Sequence, residues 1–188
     1  TTLFRSVTVH PTAIVDPLAQ LAEGVFVGPY CVVGPHAQIG AHTVLQSHVV
    51  LQGHIQIGAQ CSISPMAVLG GPPQDLSYTE EQTEVVIGNH VRIGECVTVH
   101  RATGEGNQTL VGDHCFLMAY SHVGHNTVLG KHVVLANAVQ LAGHVLLNDY
   151  VFVGGGAVVH QFCRLGRMAF VGGGSALRQD IPPFAMSD

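Results

Sequence analysis

The stretch VGDHCFLMAYSHVGHNTVLGKHVVLANAVQLAGHVLLNDYVFVGGGAVVHQFCRLGRMAFVGGGSAL, residues 111–177, carries Val or Leu at every sixth position without a break. The same phase extends towards both ends of the chain. Of the 29 positions reached in steps of six from Val9 to Leu177, 26 are Val, Ile or Leu, and the exceptions are Asp75, Glu81 and Glu105. An α-helix repeats every 3.6 residues, so this period matches no helix.

A second pattern accompanies the aliphatic residues. The residue two positions earlier is usually small or β-branched, and the residue that follows is often glycine. Alternate side chains of a strand share a face, so the small and the aliphatic residue both point inward. Each hexapeptide is then one short strand and one turn, and three hexapeptides make one coil. Stacked coils rise by about 4.8 Å and bury the aliphatic ladders. We predict an all-β fold, a parallel β-helix shaped as a triangular prism.

The hexapeptide pattern fails at two places. These are 70–84 (GGPPQDLSYTEEQTE) and 101–108 (RATGEGNQ), both rich in Gly, Pro and polar residues. We interpret them as loops that leave the prism. No stretch has the composition of an interdomain linker, so residues 1–188 are predicted to form a single hexapeptide-repeat domain.

Composition excludes several classes of function. A net charge of -5 with only seven Lys and Arg residues disfavours nucleic acid as a partner. No apolar run approaches the roughly 18 residues of a membrane span, so we expect no membrane insertion. The first ten residues lack a basic region followed by an apolar segment, and we expect a cytoplasmic protein. Five cysteines without CxxC spacing indicate reduced thiols rather than disulfides or structural zinc.

The thirteen histidines fall into two groups. Most lie three residues after an aliphatic, where the chain turns, and these are predicted to be solvated corner residues: His36, His42, His48, His54, His90, His114, His132 and His144. The others have different phases, and with His144 they are the candidates for chemistry: His10, His100, His122, His125 and His160.

The coil of three hexapeptides selects among these candidates. A residue three hexapeptides further along should stack on the first, so His125 aligns with Gly143 and Gln161, flanked by His144 and His160. A histidine beside a glycine N–H can supply a general base and an oxyanion donor. The alternative is a histidine-rich surface without catalytic function.

Nine segments together resemble the UDP-N-acetylglucosamine O-acyltransferases of lipid A biosynthesis. They are HPTAIVDP, VGPYCVVGPH, HVVLQGH, PPQDLSY, VTVHRAT, SHVGHNTVLG, LAGHV, VHQFCRLG and VGGGSALRQDIPPF, and they extend over nearly the whole chain. The resemblance implies a left-handed prism, a homotrimer with active sites between subunits, and no cofactor or metal. It also implies transfer of an (R)-3-hydroxyacyl group from acyl carrier protein to the 3-hydroxyl of UDP-N-acetylglucosamine, the first step of lipid A biosynthesis.

The resemblance also assigns roles to residues. It implies that His125 is the general base and that the Gly143 N–H binds the thioester oxyanion. The implied substrate-binding residues are Gln74, Asp75, Leu76, Ser77, His100, His122, His144, His160 and Gln161, with Gly173 at the floor of the acyl groove.

Three features depart from the family pattern. Ser77 stands where lysine is common, and Asn126 stands beside the base where aspartate is common. The C-terminal helical domain of the family is also absent from this sequence, which ends at Asp188.

Three other functions fit parts of the pattern. A zinc enzyme of the γ-carbonic anhydrase type also uses a hexapeptide prism and could employ His122 and His125. The related N-acyltransferase of the same pathway and a catalytically silent scaffold are the other two.

Overall fold

The computed structural model describes residues 6–188, so the first five residues of the predicted domain lie outside the described part. The described chain forms 27 short strands in three parallel sheets. It is a left-handed parallel β-helix, which confirms the predicted fold. Within residues 6–188, no helix has the length and apolar character needed to cross a membrane.

The strands, numbered in chain order, alternate among the three faces of the prism. Sheet one contains β1 Thr8–Val9, β4 Phe26–Val27, β7 Val44–Leu45, β10 Ser62–Ile63, β13 Arg92–Ile93, β16 Phe116–Leu117, β19 Val134–Leu135, β22 Phe152–Val153, β25 Phe170–Val171 and β27 Met186–Ser187. Sheet two contains β2 Ile14–Val15, β5 Val32–Val33, β8 Val50–Leu51, β11 Val68–Gly71, β14 Thr98–His100, β17 His122–Val123, β20 Gln140–Leu141, β23 Val158–Val159 and β26 Ala176–Leu177. Sheet three contains β3 Gln20–Leu21, β6 Ala37–Ile39, β9 His54–Ile57, β12 Glu84–Ile87, β15 Gln108–Val111, β18 Val128–Leu129, β21 Leu146–Leu147 and β24 Arg164–Leu165.

Strand register shows where the two loops enter the helix. Regular coils pair residues three hexapeptides apart, as in Val9 with Val27. Leu69 pairs with Val99, five hexapeptides further on, and Val99 pairs with Val123, four hexapeptides further on. The two coils are therefore longer than a regular coil by two hexapeptides and by one, and the extra chain runs over 72–83 and 101–107. Both loops leave from the corner between sheet two and sheet three. Each adds a whole number of hexapeptides, which is why the aliphatic phase resumes unchanged after each loop.

The aliphatic ladders fill the interior of the prism. Leu45, Ile63, Leu117 and Leu135 are fully buried, and one core cluster extends from Val25 to Ile181. The small inward position adds hydrogen bonds between coils where it is polar. The Thr43 hydroxyl, for example, donates to the Gly58 carbonyl over 2.8 Å. Burial of these side chains supplies most of the driving force for stacking.

The corners account for most of the histidines. Six of the eight predicted corner histidines have φ between 57° and 60°, in the left-handed region: His42, His48, His90, His114, His132 and His144. The rings of His90, His114, His132 and Tyr150 form a parallel stack with centroids 4.7, 4.8 and 4.7 Å apart. This spacing matches the rise of one coil. His36 and His54 form a separate stacked pair at 4.1 Å.

Truncating one ladder residue should destabilise the prism strongly. For Leu135→Ala we expect the free energy of unfolding to fall by about 2–5 kcal/mol, because the stacked coils cannot collapse into the cavity. Val32→Ala, on the outer face and 40 % exposed, is the control and should change it by about 0.5 kcal/mol. Urea unfolding followed by circular dichroism measures both. Equal effects would contradict the ladder as the source of stability.

Candidate active site

A cleft of about 380 Å³ lies on the outer face of sheet two, next to the corner from which both loops leave. Its walls come from four consecutive strands of that sheet, their turns and the first loop: Gln74, His100, His122, Gly124, His125, Gln140, Leu141, Ala142, Gly143, Val158, Val159 and Gln161. A larger groove of about 580 Å³ follows sheet three, but no titratable side chain lines it. Three histidines, His100, His122 and His125, converge on the sheet-two cleft.

His125 occupies the centre of this cleft, in the turn that follows β17. Its side chain is 12 % exposed. Nδ1 lies 2.9 Å from Asn126 Oδ1, and Nε2 lies 3.9 Å from Asp75 Oδ2. The His144 ring meets it edge-on, with centroids 5.2 Å apart. One ring nitrogen is thus held by a neighbour while Nε2 faces the cleft and the first loop.

Gly143 lies one coil above His125, against the ring. A Cβ added there would lie 2.5 Å from His125 Cε1, so only glycine leaves space for this ring position. Among the backbone bonds of residues 6–188, the Gly143 N–H has no acceptor, whereas the next residue donates to the His125 carbonyl. The arrangement places a free backbone donor beside an imidazole.

Two further histidines of the cleft are held in the neutral form. His122 Nδ1 lies 2.7 Å from Thr98 Oγ1, and His100 meets the His122 ring edge-on at 4.8 Å. Burial, with the neighbouring histidines His100 and His125, lowers the pKa of His122 to about 4. Burial also lowers the pKa of His100 and of His144. These rings are therefore uncharged hydrogen-bonding groups at neutral pH.

The first loop brings Asp75 towards His125. Hydrogen bonds from the Ser77 N–H and hydroxyl, both 2.8 Å, hold the Asp75 carboxylate and lower its pKa. Leu76 is fully exposed at the tip. At the base of the loop, Arg101 donates to the Gly70 carbonyl over 2.6 Å and to the Tyr78 hydroxyl over 3.2 Å. A single cation thus ties the second loop to the first.

Not every residue that the sequence analysis selected lies in the cleft. Gln74, His100, His122, His125, Gly143 and Gln161 line it, and Asp75 and His144 contact His125. Ser77 does not line the cleft, and it donates two hydrogen bonds to the Asp75 carboxylate. His160 is exposed and directs Nδ1 to the Gln161 carbonyl at 3.2 Å. Gly173 lies in the turn between β25 and β26, at the opposite edge of sheet two from His125.

Three contacts were missed from the sequence. They involve Thr98, Arg101 and Thr103, all within the segment VTVHRAT, residues 97–103. For Arg101 a signal was available, because it is one of only seven Lys and Arg residues and directly follows the histidine of β14. Among residues 6–188, no three His, Cys, Asp or Glu side chains converge as metal ligands would.

The cysteines lie away from this chemistry. All five are free, and four are buried in the core: Cys31, Cys61, Cys115 and Cys163. Burial raises the pKa of Cys115 to about 11 and raises the pKa of the other three buried thiols. The buried thiols therefore behave as small apolar residues of the core.

This chain is similar in sequence to one family of repeat proteins and to several named enzymes. The family described as bacterial transferase hexapeptide (six repeats) matches residues 18–53 and 108–143. Acyl-[acyl-carrier-protein]–UDP-N-acetylglucosamine O-acyltransferases from Thermodesulfovibrio yellowstonii and Trichlorobacter lovleyi are 45 % and 50 % identical over 116 and 117 residues. These matches cover 61 % and 62 % of this chain but only 45 % of either relative. The chain therefore matches less than half the length of these curated relatives.

Solved structures match over more of the chain. The UDP-N-acetylglucosamine O-acyltransferase of Moraxella catarrhalis is 43 % identical, with a TM-score of 0.91 over 95 % of this chain and 70 % of that one. A structure from Acinetobacter baumannii is 40 % identical, also with a TM-score of 0.91, over 95 % of this chain and 69 % of that one. Both the fold and the sequence of the prism are shared with these proteins.

The low pKa of His122 should make stability depend on pH. An unfolded chain protonates this histidine near pH 6.5, whereas the folded chain does so only near pH 4, so stability falls as the pH drops between these values. We expect His122 to contribute roughly 3 kcal/mol of that loss, because a pKa difference of one unit is worth about 1.4 kcal/mol. The free energy of unfolding of His122→Gln, measured from pH 7 to pH 4, should therefore decline less steeply than that of the unsubstituted chain. His10→Gln, in the first coil and far from the cleft, serves as control, and identical slopes for all three proteins would contradict the assignment.

Proposed function

Because the chain belongs to the UDP-N-acetylglucosamine O-acyltransferase family of hexapeptide-repeat proteins, we propose that it transfers an (R)-3-hydroxyacyl group from acyl carrier protein to UDP-N-acetylglucosamine. The acceptor is the sugar 3-hydroxyl, and the reaction is the first step of lipid A biosynthesis. The observation that supports this proposal best is the pairing of the His125 ring with the free Gly143 N–H in one cleft.

The reaction uses His125 as a general base. Nε2 takes the proton of the 3-hydroxyl as the sugar oxygen attacks the thioester carbonyl. A carbon–oxygen bond forms, the carbon–sulfur bond breaks, and the imidazolium returns the proton to the departing thiolate. The Gly143 N–H donates a hydrogen bond to the carbonyl oxygen as negative charge develops on it. Donors fixed in place before reaction stabilise such charge most effectively.

The remaining cleft residues bind the substrates. The neutral rings of His100, His122 and His144, with Gln161, offer hydrogen bonds to sugar hydroxyls without adding charge. Gln74, Asp75, Leu76 and Ser77 bind the acceptor from the first loop, and His160 supports Gln161 through its carbonyl. Gly173 forms the floor of the acyl groove, where the lack of a side chain leaves space for the acyl chain.

We further propose that the chain acts as a cytoplasmic homotrimer. The outer face of sheet one carries an apolar stripe, in which Phe152 and Phe170 stack at 5.2 Å and Arg92 covers Phe116. Such stripes on a monomer are usually covered by a partner. The exposed Leu76 at the loop tip is also suited to contact a neighbouring subunit.

Removing the base tests the proposed activity. His125→Ala should lower kcat about 10²- to 10⁴-fold with hydroxyacyl carrier protein and UDP-N-acetylglucosamine, because no other group replaces Nε2. His10→Ala, far from the cleft, should retain full activity. Product formation by His125→Ala at the unsubstituted rate would refute the assigned base. Stoichiometric zinc in the purified protein would instead favour the carbonic anhydrase type of chemistry.

The glycine beside the base provides a second test. In Gly143→Ala the added methyl group should displace the His125 ring rather than unfold the coil, because the contacting atoms belong to a side chain. A displacement of about 1 Å can cost about 100-fold in rate, so we expect a loss of kcat of this size with little change in Tm. Gly34→Ala, whose methyl would meet the Leu51 carbonyl at 3.2 Å and Gln52 Cα at 3.7 Å, is the control. Full activity in Gly143→Ala would contradict the proposed geometry.

A further inference from the structure

The second loop contacts the turn that carries His125 through Thr103. Asn126 Oδ1 accepts hydrogen bonds from the Thr103 N–H at 2.8 Å and from the Thr103 hydroxyl at 3.0 Å. Asn126 Nδ2 donates to the Thr103 carbonyl at 3.0 Å. The Asn126 N–H donates to the buried Thr109 hydroxyl at 2.9 Å. Three hydrogen bonds thus join Asn126 to the loop at Thr103, and a fourth joins it to β15 at Thr109.

These partners fix which end of the Asn126 amide is oxygen. A backbone N–H can only donate, so the atom 2.8 Å from the Thr103 nitrogen must be the acceptor Oδ1. A backbone carbonyl can only accept, so the atom 3.0 Å from it must be Nδ2. Rotating the amide by half a turn would place two donors together and two acceptors together. The orientation is therefore set by Thr103.

The amide orientation determines the tautomer of His125. Oδ1 cannot donate, and it lies 2.9 Å from His125 Nδ1, so Nδ1 carries the proton in the neutral ring. Nε2 is then unprotonated and faces the cleft. The ring is also approached by the Asp75 carboxylate, 3.9 Å from Nε2, by the edge of His144 and by the Gly143 backbone, and among residues 6–188 the hydrogen bond to Nδ1 comes from Asn126 Oδ1 alone.

We propose that Thr103 is a positioning residue that, through Asn126, holds His125 as the Nδ1–H tautomer with Nε2 free to accept a proton. This inference rests on the proposed function only in giving the tautomer its catalytic use. A solvent-exposed neutral histidine side chain prefers the opposite tautomer, in which Nε2 is protonated and cannot accept a proton. The second loop would thus serve catalysis without contacting substrate.

The same contacts explain why asparagine suits this position. The Thr103 carbonyl also accepts from Asn107 Nδ2 at 2.9 Å, so it is the hydrogen-bonding centre of the loop. A carboxylate at residue 126 would direct an acceptor oxygen at that carbonyl and lose one bond. Asn126 also has φ of 58°, a conformation that asparagine tolerates better than most residues.

Nitrogen NMR of the imidazole rings tests the proposal without substrate. In the ¹⁵N-labelled protein, at a pH where His125 is neutral, Nδ1 should appear protonated and Nε2 unprotonated. Asn126→Gly removes the acceptor without backbone strain at positive φ, and it should shift His125 towards the Nε2–H form. Thr103→Val, which removes one of the two donors to Oδ1, should shift the tautomer in part and lower kcat about 3- to 10-fold with KM unchanged. Thr103→Ser keeps the hydroxyl donor and should therefore show the same tautomer and the same kcat as the unsubstituted protein.

The matched control is Asn107→Ala, which removes a hydrogen bond to the same Thr103 carbonyl but leaves Asn126 in place. It should keep the Nδ1–H tautomer. An unchanged tautomer in Asn126→Gly, or an equal shift in Asn107→Ala and Thr103→Val, would overturn the proposal. If the protein fails to transfer acyl groups while the NMR results hold, the proposed function is wrong and the positioning role stands.

Discussion

The structure depends on the hydrogen-bonded stacking of one coil on the next with the aliphatic ladder kept in phase. Each short strand is unstable alone, and it persists only because the coils on either side complete its hydrogen bonds and bury its aliphatic side chain. A slip of one residue would expose the ladder and bury the polar outer face. The side chains on the strands and turns of the sheet-two cleft take their positions from this register.

Much of the fold could be predicted from the sequence because its aliphatic residues repeat every six positions. The six-residue period of residues 111–177 predicted strands, turns and inward positions, and the coil of three hexapeptides brought His125 next to Gly143 and Gln161. The same arithmetic was less informative for His160, which lies beside that coil position but turns its ring to the surface. Periodicity gives the place of a Cα atom, whereas the direction of a corner side chain depends on local φ and ψ angles.

Contacts from the loops were beyond this reasoning. Arg101 bonds to the Gly70 carbonyl and Thr103 bonds to Asn126, contacts between residues far apart in the chain, through loop backbone whose path no repeat specifies. The resemblance to the family predicted that Gln74 to Ser77 bind substrate. It could not show that Ser77 holds the Asp75 carboxylate, since that contact depends on the turn this sequence adopts. The positions of the cleft residues on the prism can thus be predicted from the repeat, whereas the contacts made by the two loops can be seen only in the structure.

The two insertions leave from one corner and lengthen their coils by two hexapeptides and by one. Loop length can therefore vary at that corner while the stacking register of the prism is kept. Length changes in whole hexapeptides at that corner alter the rim of the cleft without changing the alignment of His125 with the glycine above it. Under the proposed function, exchange of a loop would change substrate preference while His125 and Gly143 stay aligned. Replacing residues 72–83 with a longer or shorter loop would therefore be a local change, comparable to exchanging a hypervariable loop on a binding scaffold.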